Sequence, residues 1–506
     1  MESRTSNTKR NIIASYIFMI IQIVFQFVSK SAIVYTLGSQ YLGLSSLFTS
    51  ILTVLNVAEL GFTTSIVYFM YKPLAENDTK HVCALLAYLK KVYRIVGIAI
   101  IVFGVLAIPI LPKLINDELP SDINIYFLYI LYLLNTAISY FLFSYKTALL
   151  TAIQRLDLTK VANGIVLVVQ YALQLVALLA FKNYYLFVFF MLLGTAGTNI
   201  FTAIISNHKY PQYKCAGKIS DTEKKDIVNK VKGLLICNIS VVTYTTLDSV
   251  VVSAFVGLIS VAIYSNYMTI YKTVNQLIVM IRSAMQSSVG NSVASESIQK
   301  NLNDIYLWQF LFSAISAWCA SCMLNLFQPF MTIWMGKSLL LPMHDVVLIV
   351  VWFSIDIVQQ AQNLYLSAAG LWNELRYSYI FNTFCNLVLN VCLGRLWGIT
   401  GIIIASLVTC VISGTFWQCI IIFRSYFKIS AKRYIQKQFE YFGISTFVVS
   451  VSYYISSLIK MSGIGGIAFK AVISVIVTTF LIFICYRKNC NFNKAVMLAR
   501  KILNKQ

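Results

Sequence analysis

Residues 12–37, IIASYIFMIIQIVFQFVSKSAIVYTL, run from an inner polar start to Gly38 with a single charge, Lys30. A helix needs about 20 mainly apolar residues to cross the hydrocarbon of a bilayer. This run exceeds that length. It is too long for a signal-peptide core, and no small-residue cleavage site follows it. It reads as an uncleaved first membrane span. The same rule, carried along the chain, finds further runs at 42–70, 95–112, 124–149, 161–181, 184–206, 232–254, 258–284, 305–334, 344–368, 377–394, 399–423, 441–459 and 467–486, fourteen in all.

Composition agrees. Of 506 residues, 58% are apolar and 11% charged, against roughly 25% charged in a soluble domain, and mean hydropathy is +0.75. No water-soluble fold of this size hides so much apolar surface. Soluble enzymes, secreted disulfide scaffolds and disordered tails are excluded. The eleven cysteines lie mostly inside apolar runs, where thiols act as small packing residues. The Cys319/Cys322 pair sits in such a run with no second pair, so a metal or redox role is not expected.

Forty Lys and Arg against 18 Asp and Glu leave a net charge of +22. The cations lie in short segments between apolar runs, so no nucleic-acid partner is inferred. With the N-terminus inside, and with Lys146, Lys232 and Arg282 at inner span ends counted with the inner segments, fourteen spans place 32 basic residues inside, 5 in outer segments and 3, Lys30, Lys272 and Lys470, within spans. That asymmetry is what the positive-inside rule expects, with both termini cytoplasmic. No loop holds a catalytic domain. The largest inner one, about 207–231, has room for a short amphipathic helix.

An internal echo is also present. Gly38, Ser46, Phe48, Ser50 and Ile51 recur as Gly257, Ser265, Tyr267, Thr269 and Ile270, each offset by 219 residues. Units six spans apart share one orientation, which suggests a parallel repeat. The implied division is an N-terminal lobe over 1–206 (spans 1–6), a cytoplasmic connection over 207–231, a C-terminal lobe over 232–424 (spans 7–12), and spans 13–14 with a tail over 425–506.

Ionisable residues within spans usually face a cavity or a partner. Gln22, Gln26 and Lys30 fall at i, i+4 and i+8 on span 1. Span 2 carries Thr53, Asn56, Glu59 and Thr63, and span 7 carries Thr245 and Asp248. Span 8 has Ser265, Thr269, Lys272, Thr273 and Gln276, with Arg282 further inward, and span 10 has Asp356, Gln359, Gln360 and Asn363. Lys272 is about a dozen residues, roughly 18 Å, from either helix end. It requires a carboxylate or water. The repeat sets Lys30 on Ser249, beside Asp248, so an ion pair between these two charges is a further expectation. The Asn382, Asn386 and Asn390 stripe of span 11 reads as interhelical hydrogen bonding. His81, His208 and His344 are isolated in the sequence, and no HExxH, phosphate-loop or dinucleotide motif occurs. No enzyme, metal or cofactor is expected.

Several segments, taken in order, carry a resemblance: LGSQYLGL (37–44), VAELGF (57–62), YKPLAEND (71–78) and YKTALLTA (145–152) leading to Gln154-Arg155. In the second half follow Leu247-Asp248-Ser249, Val256-Gly257, IYSNY (263–267), SVGN (288–291), AAGLW (368–372), NLVLN (386–390) and GITG (398–401). The series resembles bacterial Wzx-type flippases of lipid-linked oligosaccharide repeat units, in the multidrug/oligosaccharidyl-lipid/polysaccharide exporter superfamily. Of the Thr-Asp-Asn segment only Asp248 is kept, and Asn373-Glu374-Leu375-Arg376 departs from the usual inner-loop motif.

The resemblance implies an all-α polytopic membrane protein with two six-helix lobes around a cavity that opens alternately to each side. It implies an undecaprenyl-pyrophosphate-linked oligosaccharide as substrate, moved across the bacterial cytoplasmic membrane for capsule or O-antigen synthesis. Lys30, Lys272 and Arg282 would attract the pyrophosphate. Gln22, Gln26, Thr269 and Gln276 would hydrogen-bond the glycan, and Glu59, Asp248 or Asp356 would couple or gate transport. Membrane lipids, and glycosyltransferases and a polymerase of the same pathway, are the implied partners. The alternative is a cation-coupled multidrug antiporter of the same superfamily, which mid-span Lys272 disfavours. A membrane polymerase or ligase is the rival from another class, and it lacks the large outer loop expected of one.

Overall fold

The computed structural model describes residues 4–117, 119–461 and 463–503, and among them it shows helices and no strand. In chain order these are α1 (Arg4–Thr36), α2 (Ser39–Leu55), α3 (Val57–Ala75), α4 (Thr79–Ala107), α5 (Ile125–Phe141), α6 (Tyr145–Ala152), α7 (Leu156–Leu179) and α8 (Tyr184–Lys209). They continue as α9 (Asp221–Phe255), α10 (Leu258–Ser295), α11 (Ile298–Met335), α12 (Met343–Ala368) and α13 (Trp372–Cys410). After α13 come α14 (Cys419–Ile422), α15 (Lys432–Ser457), α16 (Gly463–Tyr486) and α17 (Cys490–Leu503).

Each expected span falls on helix. The run 42–70 is the pair α2–α3, interrupted at Asn56, and the run 124–149 is α5–α6, bent by 50°. Runs 377–394 and 399–423 are two arms that meet at Gly398, whose φ of 57° and ψ of −132° break the helix. Among the described residues eight continuous helical runs, with 372–427 as one of them, are long and apolar enough to cross a membrane, and the bent pair taken as one span makes a ninth. α10 lies outside that count although it coincides with an expected span; its polar stripe lowers its hydropathy. Exposed Ile95, Ile98, Val102, Phe103 and Leu106 on α4 would be a liability in water. In lipid they are the normal outer face. The chain is a polytopic, all-helical membrane protein.

Side-chain caps start the helices where the sequence turns polar. Asp78 accepts from His81 N at 3.0 Å, Asn124 from Tyr126 N at 3.0 Å, Asn183 from Leu186 N at 3.0 Å and Ser220 from Glu223 N at 3.2 Å. Such caps satisfy the unpaired N–H groups of a first turn. The Ser220 cap replaces an expectation: 207–231 holds no separate short helix, because α9 runs unbroken from Asp221 into the span. The tail, in contrast, does contain an amphipathic helix, α17.

Two compact units divide the chain, Met1–Ala262 and Ile263–Gln506. In the first, α9 packs against α2 and α3, so contacts carry this unit past the 207–231 connection. Its core includes Leu44, Leu47, Phe48, Tyr129 and Leu258, all essentially without solvent access. Gly43 permits the closest approach: a Cβ there would lie 2.2 Å from the Leu258 carbonyl oxygen. The 219-residue echo also holds in backbone geometry. Gly38 has φ 114° and Gly257 φ 120°. Leu37 N and Gly38 N both donate to Ile33 O at 3.0 and 3.1 Å, and Val256 N and Gly257 N both donate to Val252 O at 2.8 and 3.0 Å. Every atom pair is shifted by the same offset, and the left-handed closure favours glycine at both places.

In the second unit α11 and α12 are its most enclosed candidate spans, each 61% buried, whereas α16 is 17% buried. Spans 13–14 dock on α11: Asn325 Nδ2 donates to Ser452 Oγ at 3.2 Å and to Ser474 Oγ at 2.7 Å. α17 follows them, with Phe492 edge-on to Phe310 at 6.2 Å.

Candidate substrate and coupling site

On α10, Tyr271, Asn275 and Arg282 are spaced i, i+4 and i+11 and so share one stripe. That stripe meets Asp356 of α12. The Tyr271 hydroxyl donates to Asp356 Oδ2 at 3.0 Å, and Asn275 Nδ2 donates to the same oxygen. Arg282 interacts electrostatically with this carboxylate. Trp352 and Phe353, with ring centroids 5.1 and 5.5 Å from that of Tyr271, hold the phenol in place. A buried carboxylate needs such donors and a counter-charge. Nε of Arg282 is itself buried and has no hydrogen-bond partner among the described residues.

One turn along α12, Gln359 and Gln362 reach a π-helical stretch, Val411–Gln418. Gln362 Nε2 donates to Gly414 O at 2.6 Å and Gln359 Nε2 to Cys410 O at 3.1 Å. A Cβ on Gly414 would lie 2.1 Å from Gln359 Oε1, so glycine is what lets the glutamine in. π-segments are common at functional positions, and here the amide side chains satisfy carbonyls of the wider turn. On span 11, Asn386 Nδ2 donates to Ser406 Oγ at 3.1 Å and Asn390 Nδ2 to Asn386 Oδ1 at 3.0 Å. The first crosses from span 11 to span 12, the interhelical bonding expected of the asparagine stripe, and the second runs along span 11 itself.

The remaining candidates sort differently from the expectation. Lys272 and Gln276 are exposed and Thr269 is buried, its hydroxyl donating to Ser265 O at 2.7 Å. These three form a second stripe of α10, separate from the one that carries Arg282. Arg282 therefore groups with Asp356, not with Lys272. In the first unit Gln22 is exposed, Gln26 and Lys30 are half-buried, and Asp248 is buried. The side chains of Glu59 and Thr245 lie outside the described residues. Tyr271 and Asn275 were not among the expected site residues. Their only signal was the i, i+4 spacing beside the Lys272 stripe. His81 is not isolated: its Nε2 lies 2.8 Å from Glu223 Oε1, joining the starts of α4 and α9. Among the described residues no cluster of three or more His, Cys, Asp or Glu could hold a metal ion.

No protein-family model matches the chain, and no curated protein does. Solved structures do. The lipid II flippase MurJ, in an inward closed conformation, superposes with a TM-score of 0.68 at 12% identity, over 94% of this chain and 99% of that one. An inward-facing multidrug resistance MATE family transporter of the MOP superfamily gives 0.62 at 15% identity, over 85% and 99%. The eukaryotic MATE transporter AtDTX14 gives 0.58 at 13%, over 87% and 99%. The fold is that of MurJ and the MATE transporters. At these identities the likeness concerns architecture.

Proposed function

We propose that this protein is a non-enzymatic flippase. It moves undecaprenyl-pyrophosphate-linked oligosaccharide repeat units across the bacterial cytoplasmic membrane, with both termini inside, for surface polysaccharide synthesis. Transport proceeds by alternating access, with 1–206 and 232–424 as the lobes of the repeat. A pyrophosphate and its sugars do not cross hydrocarbon unaided, since unpaired buried charge and hydroxyls are costly. The protein supplies the missing partners.

The observation that carries this reading is the cationic character of α10. Lys272 stands mid-helix, and the buried Nε of Arg282 has donor capacity that no acceptor among the described residues uses. A guanidinium with a free N–H suits a phosphate oxygen. Lys30 adds a third cation from α1, while Gln22, Gln26, Thr269 and Gln276 hydrogen-bond the glycan. Glu59, Asp248 and Asp356 are the coupling or gating carboxylates. Asp356 is distinguished by its electrostatic interaction with Arg282, so that substrate bound at the guanidinium competes for the counter-charge of the carboxylate. Glycosyltransferases and a polymerase of the same pathway supply and consume the lipid-linked unit. The coverage of the two kinds of neighbour supports the choice: the MurJ alignment is longer, at 94% against 85% of this chain. That excess is close to two spans of about 20 residues each.

The test is complementation of a flippase-null strain. The wild-type chain should restore surface polysaccharide, Lys272→Ala should lower it about tenfold, and Lys272→Arg should retain most of it. Full output from Lys272→Ala would remove the anion site. Drug resistance without polysaccharide from the wild type would instead favour the antiporter.

A further inference from the structure

At the ends of α10 and α11 that the basic loops assign to the cytoplasm, the second unit holds a cavity of about 500 Å³. That is within the usual range of ligand pockets. One wall is a row of small polar side chains on α10, with Ser288, Asn291, Ser292 and Ser295 among them. The facing wall is a stripe of α11 in which Lys300, Asp304 and Trp308 recur every fourth residue. Tyr365 of α12 closes the back, its hydroxyl next to Asp304 and Trp308. The row continues the SVGN segment that ends span 8, and the transport chemistry above makes no use of it.

The chemistry of these walls selects among ligands. A diphosphate is disfavoured, because Lys300 is paired with Glu296 and Asp304 adds a further negative charge. A lipid tail would desolvate a row of hydroxyls with nothing in return. An organic cation would find Asp304 and two aromatic rings, yet would leave the Ser288 hydroxyl and the Asn291 amide unanswered, Ser292 and Ser295 already donating to Asn301 Oδ1 at 3.0 Å and to Asn291 O at 2.8 Å. A polyhydroxylated ring satisfies all of them. Its C–H face packs on the indole of Trp308, its hydroxyls pair with Asp304, Ser288 and Asn291 serve as donors and acceptors alike, and Ser292 and Ser295, whose protons are engaged, accept.

We infer that this pocket is a glycan-docking subsite at the cytoplasmic mouth, which receives the sugar portion of the substrate while the pyrophosphate goes to the basic residues. The inference rests on the flippase reading and deepens it.

The experiment uses the full chain in lipid nanodiscs and three probes: undecaprenyl pyrophosphate carrying a neutral N-acetylhexosamine-containing trisaccharide, bare undecaprenyl pyrophosphate, and tetraphenylphosphonium. Trp308→Ala and Asp304→Asn should each weaken the glycosylated probe about tenfold and leave the bare one within twofold. Trp308→Phe, which keeps an aromatic face, should bind the glycosylated probe nearly as wild type and also reports that the fold is intact. Equal losses for both lipid probes, or no loss for either, would overturn the subsite while leaving the flippase reading in place. If the wild type binds tetraphenylphosphonium and neither lipid, the flippase reading falls, and the subsite with it.

Discussion

Replacing Asp356 separates the energetics of a charged cluster from those of ordinary polar contacts between helices. Asp356 Oδ2 accepts from Tyr271 at 3.0 Å and from Asn275, and its charge faces Arg282. Asp356→Ala leaves both donors without an acceptor and the guanidinium without its counter-charge. Hydrogen bonds to a charged group are worth about 1.5–3 kcal/mol each, and two of them are lost. With both donors stranded and Arg282 facing the carboxylate without a direct ion pair, the expected destabilisation is about 4 kcal/mol. Asp356→Asn keeps an oxygen for Tyr271 and Asn275 and loses only the charge, for roughly 1–2 kcal/mol. Ser378→Ala is the control. It breaks one neutral contact, Ser378 Oγ to Ser413 Oγ at 3.0 Å, and such bonds in membranes average about 0.6 kcal/mol. Thermal melting of the purified full chain in detergent, at one heating rate, should rank Ser378→Ala nearest wild type, then Asp356→Asn, then Asp356→Ala. Adding Arg282→Met to Asp356→Ala should recover part of the loss, because the stranded cation is gone. If Asp356→Ala melts no lower than Ser378→Ala, the cluster is not an electrostatic unit and the reasoning fails.

Two further outcomes follow from close packing, one from the His81–Glu223 contact and one from the pairing expected of Lys30 and Asp248. Gly43→Ala should reduce the yield of monodisperse protein, since its Cβ would meet the Leu258 carbonyl at 2.2 Å and backbone cannot yield cheaply. Gly443→Ala on α15, with nothing within 4 Å, should instead be neutral or stabilising by about 0.4–1 kcal/mol in the same melting assay. His81→Ala should leave melting within about 1 kcal/mol, as befits a half-exposed pair. It should nevertheless speed tryptic nicking at Lys214 or Lys218 several-fold, because the His81–Glu223 contact fastens the connection; unchanged nicking would refute that role. Lys30→Ala and Asp248→Ala, combined, should depress polysaccharide export less than the product of the single losses if the two charges pair, and strict multiplicativity would refute the pairing.

Hydropathy reads one helix at a time, and that accounts for what the sequence made legible. The spans were visible because each is a run of apolar residues. Gly38 and Gly257 were visible because a turn with positive φ leaves a glycine at a fixed offset, and the structure repeats even the carbonyls they close on. The asparagines of span 11 were readable as interhelical bonding because their i, i+4 spacing needs only one helix to define it. The partnership of Tyr271, Asn275 and Arg282 with Asp356 needed two. It depends on the register between α10 and α12, which no spacing along either helix encodes. Register is set where backbones can approach, and those places are single atoms wide. The Gly43 contact with Leu258 and the Gly414 contact with Gln359 are gaps that one methyl group would fill. Seen in the sequence, each is merely another glycine in an apolar run. The same limit hid α17, whose apolar face is too short to read as a span and becomes meaningful only against Phe310. It also explains why the sequence alone groups Arg282 with Lys272. Ten residues apart on one helix they look like neighbours, yet at 100° per residue they diverge by about 80°. The packing of α12 then turns that angle into two different chemistries: an exposed ammonium on one side, and a guanidinium in the field of a carboxylate on the other.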